Sequence, residues 1–234
     1  MGIALTRVFV ANAGTERGLT TKLLNSFLEG IQAGGGEADV ANIRRLDIRP
    51  CTGEFNCWYR KPGKCHIGDD MQELYPRISS AEVLIFSAPV YLPIPGELQN
   101  FLNRLMPLID PLVENQEGKT IATVRTGVRW KRLAVVSTSG WWELQNFDVL
   151  VMTFQELARK VGIDFAGSVL RPHAFLMAKA NERSEAVLNA VRESGRALIE
   201  TGTIPLDLQR RIVEPLAKEE EVIEIYNKMR TRSG

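Results

Sequence analysis

Histidine and cysteine are both scarce in this chain, with two and three residues respectively among 234. His66 and His173 lie in unrelated segments, which excludes a histidine-rich metal site as the organising chemistry; each is read as structural rather than catalytic. The cysteines, an odd number confined to residues 51–65, do not make a disulfide framework. No apolar run approaches the roughly 20 residues that span a bilayer, and no basic-then-apolar leader opens the sequence. The expectation is a cytoplasmic protein with reduced thiols and no membrane partner. A net charge of +1 and a pI of about 7.7, with Lys and Arg scattered, leave no basic stripe for nucleic acid. The same neutrality argues against a small acidic electron carrier. Neither GxxxxGK[ST] nor GxGxxG occurs, so a P-loop and a dinucleotide fingerprint are excluded.

What is present is an alternation of short apolar runs and helical periodicities. Val8-Phe9-Val10-Ala11 reads as a buried strand, and Leu19, Leu23, Leu24, Phe27, Leu28 and Ile31 follow at helical spacing until Gly34-Gly35-Gly36. Ala38 to Ile43 reads as a second strand. Asp69 or Asp70 starts a helix running to Ile78, with Asp70 and Glu73 spaced as a capping box. Val83-Leu84-Ile85-Phe86 is a strand covered on both faces. A helix from Gly96 to Leu105, a strand at Leu133 to Ser137, a helix from Phe147 to Val161 and a strand at Ile163 to Leu170 complete the pattern. It implies an α/β, doubly wound parallel sheet of five strands. Three further helices are expected, at Glu182 to Thr201, Leu206 to Ile212 and Lys218 to Met229. Pro107 to Trp130 is less regular and reads as an insertion near the site or a subunit contact.

Ligands of such sheets bind beyond the carboxyl ends of the strands, and three loops leave those ends. The first comprises Asn12, Ala13, Gly14, Thr15, Glu16, Arg17, Gly18, Leu19 and Thr20. Its glycines permit close backbone approach, and its hydroxyls stand beside free amides of a helix N-terminus, a phosphate site without an obligatory cation. The second is stiffened by prolines: Ser87, Ala88, Pro89, Val90, Tyr91, Leu92, Pro93, Ile94, Pro95 and Gly96. It is suited to presenting backbone amides and an aromatic side chain to a flat ring. The third is Ser137-Thr138-Ser139-Gly140-Trp141-Trp142-Glu143, with small residues whose amides suit a polar ring edge and tryptophans that either stack in or close the site or serve as core anchors or dimer contacts.

Two further stretches carry a resemblance. One is Arg49-Pro50-Cys51-Thr52-Gly53-Glu54-Phe55-Asn56-Cys57 with Lys61-Pro62-Gly63-Lys64-Cys65-His66-Ile67-Gly68-Asp69-Asp70-Met71. The other is Leu98-Gln99-Asn100-Phe101-Leu102-Asn103-Arg104. Together with the Pro89-Val90-Tyr91 loop they resemble the flavodoxin-like NAD(P)H-dependent FMN oxidoreductases, in the branch that includes the iron–sulfur flavoproteins. The resemblance spans about residues 6–170. It implies a flavodoxin-like fold, FMN in the three loops, and hydride transfer from NAD(P)H to bound FMN and on to a flavin, quinone or similar small-molecule acceptor. Positioning residues rather than an acid–base side chain then carry the reaction. It also implies a homodimer or homotetramer. Alternatives from another class are an electron-transfer or redox-sensing flavoprotein without turnover, and an iron–sulfur flavoprotein proper. At the first loop the chain matches the family at Gly18 and Thr20, but has Ala13 and Thr15 where Ser and Arg commonly stand. The expected organisation is an FMN-binding domain over 1–175 and a helical extension over 176–234 with a possible oligomer contact.

Cys51, Cys57 and Cys65 supply three of the four thiolates that a cubane cluster takes. The resemblance places Glu54 where the family has the second cysteine of the motif, and a carboxylate is a harder ligand than such a cluster prefers. Zinc on three thiolates and His66 is awkward, because Cys65 and His66 are adjacent. The favoured reading is a structural cover with free thiols near the flavin or at an interface, where Trp58 and Tyr59 also fit.

Overall fold

The computed structural model describes residues 5–231; the outer ends of the two predicted units, residues 1–4 and 232–234, lie outside the described residues. Five strands, β1 (Thr6–Asn12), β2 (Gly36–Asn42), β3 (Val83–Pro89), β6 (Arg132–Thr138) and β7 (Asp164–Arg171), form one parallel sheet in the order β2-β1-β3-β6-β7. This is the flavodoxin-like arrangement expected above. The period-two alternation of strand side chains sorts the apolar residues onto two faces. Phe9, Ala11, Leu84, Phe86, Leu133 and Val135 face a core shared with α3 (Met71–Ser80), α4 (Gly96–Asn103) and α5 (Asp148–Lys160). Val8, Val10, Val83, Ile85, Ala134 and Val136 face a second core, shared with α1 (Leu19–Ala33) and α6 (Glu182–Thr201). The central runs Val8–Ala11, Val83–Phe86 and Leu133–Val136 thus lack polar residues because neither face meets water, whereas the edge strand β2 is mostly exposed and polar.

Several boundaries differ from the sequence reading for local reasons. The Asp70–Glu73 capping box does not form; Asp69 Oδ1 accepts from the Met71 N–H at 3.2 Å, while Asp70 Oδ2 accepts from the Asp47 N–H at 2.7 Å. Residues 109–124 are an antiparallel hairpin, β4 (Ile109–Gln116) and β5 (Lys119–Val124). The cysteine stretch contains one short helix, α2 (Asn56–Tyr59). Two more helices follow α6, namely α7 (Leu206–Val213) and α8 (Glu219–Thr231). Among the described residues no helix is long and apolar enough to cross a membrane.

Glycine lets α6 press onto α1. A methyl group on Gly30 would be driven into the Arg192 carbonyl oxygen, and one on Gly195 into the Phe27 carbonyl oxygen. The backbones of the two helices therefore meet directly. The first stretch of residues 176–234 is accordingly part of the packing that covers the sheet: Val187, Ala190, Val191 and Leu198 of α6 are buried in the second core.

Candidate functional site

In the order β2-β1-β3-β6-β7 the winding direction reverses between β1 and β3, which opens a crevice at their carboxyl ends. A cavity of about 470 Å³ lies there, within the size range of small-molecule sites. All three predicted loops contribute to it. Ala13, Thr15, Gly18, Leu19 and Thr20 come from the first loop, Pro89, Val90 and Tyr91 from the second, and Thr138, Ser139 and Gly140 from the third.

The first loop is shaped from behind. Asn12 is buried, accepts from the Gly14 N–H at 2.9 Å, and donates from Nδ2 to Asn42 Oδ1 at 3.1 Å and Thr21 Oγ1 at 3.3 Å. The Ala13 N–H donates to the Ser87 carbonyl at 2.7 Å, which locks the first loop to the second. Gly18 precedes α1, and no side chain caps that helix. The first amides of α1 thus face the crevice region without a side-chain acceptor, a ready place for an anion. A methyl group on Gly14 would sit 2.8 Å from Thr21 Oγ1 and 3.1 Å from Asn12 Oδ1, so these side chains close tightly on the glycine. Arg17 is exposed and is not a wall of the cavity. Thr20 and Thr138 join the first loop to the third through a buried 2.6 Å contact between their hydroxyls.

The remaining predicted residues support the crevice or stand aside from it. Ser137 is fully buried and donates to the Ala88 carbonyl at 2.7 Å, fastening β6 to the second loop. Leu92 is fully exposed, Pro93 half-buried, and Gly96 begins α4; none of them is a wall. Trp141 is 68% exposed at the rim. Its neighbour Trp142 stacks on His173, ring centroids 4.8 Å apart.

Sequence reasoning missed three walls. Ala174 and Phe175 follow β7, and Tyr226 comes from α8. None belongs to a motif; a Tyr four residues after the buried Val222 is the one signal, since those positions share a helix face.

Behind the third loop lies a buried cation. Arg171 is fully buried at the end of β7, with no carboxylate on it among the described residues. Its guanidinium donates to the Ile212 and Glu214 carbonyls at 2.5 and 2.8 Å, where α7 ends, and lies 2.8 Å from His173 Nε2. Burial pushes the Arg171 pKa down to about 10. Burial, then the Arg171 charge, pushes the His173 pKa down to about 4. His173 is thus neutral and structural at pH 7. Its folded pKa lies below the unfolded value of about 6.5, so the unfolded chain binds the extra proton and stability falls as pH drops through that window. We expect this group to remove about 2 kcal/mol between pH 7 and pH 5. Urea midpoints at the two pH values check it: His173→Gln, neutral throughout, should lose that part of the acid sensitivity. An unchanged drop in the variant would refute the assignment.

The cysteine stretch frames a different cavity of about 290 Å³, lined by Cys51, Cys57, Cys65, Glu54 and Arg104 among others. All three thiols are free. Burial, then the neighbouring Cys65, Cys51 and Glu54, pushes the Cys57 thiol up, so it stays protonated. Glu54 accepts from the Thr52 hydroxyl and pairs with His66 Nδ1 at 2.8 Å; the Thr52 bond leads in holding its carboxyl below the ordinary range. Trp58 Nε1 donates to the Met106 carbonyl at 2.8 Å, while Tyr59 is 72% exposed.

Comparison with known proteins agrees with this geometry. An iron–sulfur flavoprotein of Methanocaldococcus jannaschii is 28% identical over 115 residues, which are 48% of this chain and 58% of that protein. The chain therefore spans just over half the length of that relative. An NAD(P)H:quinone oxidoreductase from Methanothermobacter marburgensis superposes with a TM-score of 0.58 at 16% identity, over 83% of this chain and 98% of that one. An FMN-dependent NADH-azoreductase from Bacillus anthracis, solved with FMN, gives 0.56 at 14% identity, over 84% and 100%. At those identities the two structures speak for the fold. The family model for NADPH-dependent FMN reductases matches residues 6–161, the stretch that carries β1, β3, β6 and all three crevice loops. The chain belongs to the NADPH-dependent FMN reductase family.

Proposed function

We propose that the protein is an FMN-dependent NAD(P)H oxidoreductase, with FMN in the crevice and a small organic molecule as final acceptor. One observation carries the reading: three loops from three strand ends close on one cavity at the point of strand reversal, beside an uncapped helix N-terminus. The residues fit the group. The Gly18 amide is taken by the Thr15 carbonyl at 2.9 Å, so the amides of Leu19 and Thr20 and the hydroxyl of Thr15 are the groups that suit the phosphate. Pro89, Val90 and Tyr91 suit the ring face, and the backbone of Thr138, Ser139 and Gly140 suits its polar edge. Bound FMN supplies the hydride-accepting ring. The chain's own part is to hold that ring against a transient nicotinamide, with donors where negative charge develops. Among the described residues the cavity walls include no His, Cys, Asp, Glu, Lys or Arg.

An iron–sulfur cluster does not fit the residues present. Glu54 stands at the second ligand position and is engaged by Thr52 and His66. Among the described residues no group of three or more His, Cys, Asp or Glu is arranged to hold a metal ion. The proposal therefore routes nothing through a cluster. A homodimer or homotetramer in the cytoplasm, without nucleic acid, accompanies this reading; the three free thiols suit a reducing compartment.

Steady-state oxidation of NADH and NADPH by protein loaded with FMN, using free FMN and a quinone as acceptors, tests the activity. Turnover with either acceptor is expected. Bound flavin without turnover would replace this reading with the electron-transfer or sensing alternative.

A further inference from the structure

Tyr226 occupies an unusual place for a residue so near the end of the chain. The other walls of the crevice are carried by the strand-end loops and the segment after β7, whereas this one is delivered by α8. Its hydroxyl donates to the Gly140 carbonyl. Its ring stacks on Trp141, centroids 6.3 Å apart and 22° between planes, and meets the Phe175 edge at 5.0 Å and 71°. Gly140 is what admits it: a methyl group there would lie 2.7 Å from Tyr226 Oη. Phe175 and Tyr226 thus form an aromatic wall beside the third loop, with Trp141 stacked on Tyr226 at the rim and outside the cavity lining.

Two properties of this wall bear on what it meets. First, the polar end of Tyr226 is taken up by Gly140, so the side chain offers the cavity only its ring. With Trp141 stacked on it and Phe175 tilted 71° to it, that ring meets a flat apolar partner by edge or offset contact rather than by a hydrogen bond or a charge. Second, Trp141 and Tyr226 are 68% and 39% exposed. Large rings left open at a cleft rim mark a surface that something covers. α8 itself is lightly held, with Val222 buried near its start and exposed side chains dominating the described remainder. The Arg171 bonds to the Ile212 and Glu214 carbonyls fix the chain just upstream. A wall on such an element adapts to the ring laid against it.

We propose that Tyr226 is a specificity-determining residue, and that with Phe175 and Trp141 it selects a planar aromatic acceptor of the quinone class. The inference rests on the flavin reading above. In the overall reaction the quinone gains a hydride equivalent and a proton to become the hydroquinone, while NAD(P)H becomes NAD(P)⁺.

The test compares two acceptors in the same FMN-loaded protein. Menadione is a flat two-ring quinone, and ferricyanide is an inorganic one-electron oxidant with no ring. The readout is the ratio of their kcat/KM values, together with the KM for NAD(P)H and the Kd for FMN. Tyr226→Ala should lower the menadione-to-ferricyanide ratio about tenfold, equivalent to about 1.4 kcal/mol. Tyr226→Phe keeps the ring and should hold the ratio within about twofold of wild type. A general disturbance of the fold would lower both acceptors together and leave the ratio unmoved, which would overturn the inference. An effect on the KM for NAD(P)H instead would assign the wall to the nicotinamide and overturn it too, as would tighter FMN binding in Tyr226→Ala, the mark of an occluding side chain. Wild-type protein that does not bind FMN overturns the flavin reading and this inference with it. Wild type that binds FMN and uses both acceptors, with an unmoved ratio in Tyr226→Ala, overturns this inference alone.

Discussion

Replacing Gly195 with alanine is expected to destabilise the protein by at least about 3 kcal/mol, at the upper end of what overpacking costs. The new methyl group would overlap the Phe27 carbonyl oxygen and lie 3.0 Å from the Ile31 nitrogen. Both neighbours are backbone atoms of a buried helix, so no side-chain rotation relieves the clash. α6 must back away from α1, and the apolar contacts of Val187, Ala190, Val191 and Leu198 with the second core loosen together. Gly30→Ala should act alike, because its methyl group meets the Arg192 carbonyl oxygen from the other helix. Chemical denaturation of each variant measures the loss. Since both changes open the same interface, the double variant should cost less than the sum of the two. A loss under about 1 kcal/mol in either single variant would mean that the helices do not meet backbone to backbone.

Asp69→Asn should cost a similar amount, about 3–5 kcal/mol, for a different reason. The Arg104 and Asp69 side chains are both fully buried and joined by two bonds, of 2.5 and 2.9 Å. The same guanidinium donates to the Arg49 carbonyl at 2.8 Å, and the Arg49 N–H donates to Asp69 Oδ2 at 2.9 Å. The cluster thus ties both ends of the cysteine stretch to the end of α4. Removing the carboxylate's charge leaves the Arg104 charge buried without its counter-ion, which is the expensive case; Asp69→Leu with Arg104→Met should recover much of the loss. Burial by itself would raise the Asp69 pKa, but the bonds from Arg104 and from the Arg49 and Met71 amides outweigh it and hold the carboxyl below its ordinary range. The stability so contributed is present above the unfolded value of about 3.9 and is lost as pH falls through the lower folded value. Faster alkylation of Cys57 in Asp69→Asn would report that the stretch has come loose. A variant as stable as wild type would refute the role given to the pair.

The sheet was legible because Val8–Ala11, Val83–Phe86 and Leu133–Val136 are apolar on both faces, a pattern no exposed segment sustains. The crevice loops were legible because parallel sheets bind ligands at strand ends, so sequence order alone brought Thr15, Tyr91 and Ser139 to one place. Three features escaped for physical reasons. The β4–β5 hairpin is largely exposed, and its strands mix polar and apolar residues without a clean alternation. Asp69 looked like a helix cap, and nothing local distinguishes a cap from a buried counter-ion when its partner, Arg104, lies 35 positions on. Tyr226 and Arg171 act through tertiary contacts across 86 and more than 40 residues respectively, beyond any motif.

The central claim is that the uncapped start of α1 holds the phosphate of FMN without a dedicated cation. Equilibrium titration of the protein with FMN and with riboflavin, followed by quenching of flavin fluorescence, tests it most directly. The two ligands share the ring and differ by the phosphate. The account predicts that FMN binds about 100-fold or more tightly than riboflavin, equivalent to about 2.7 kcal/mol and within reach of one or two charge-assisted bonds. Equal affinity for the two, or no affinity for either, would contradict it.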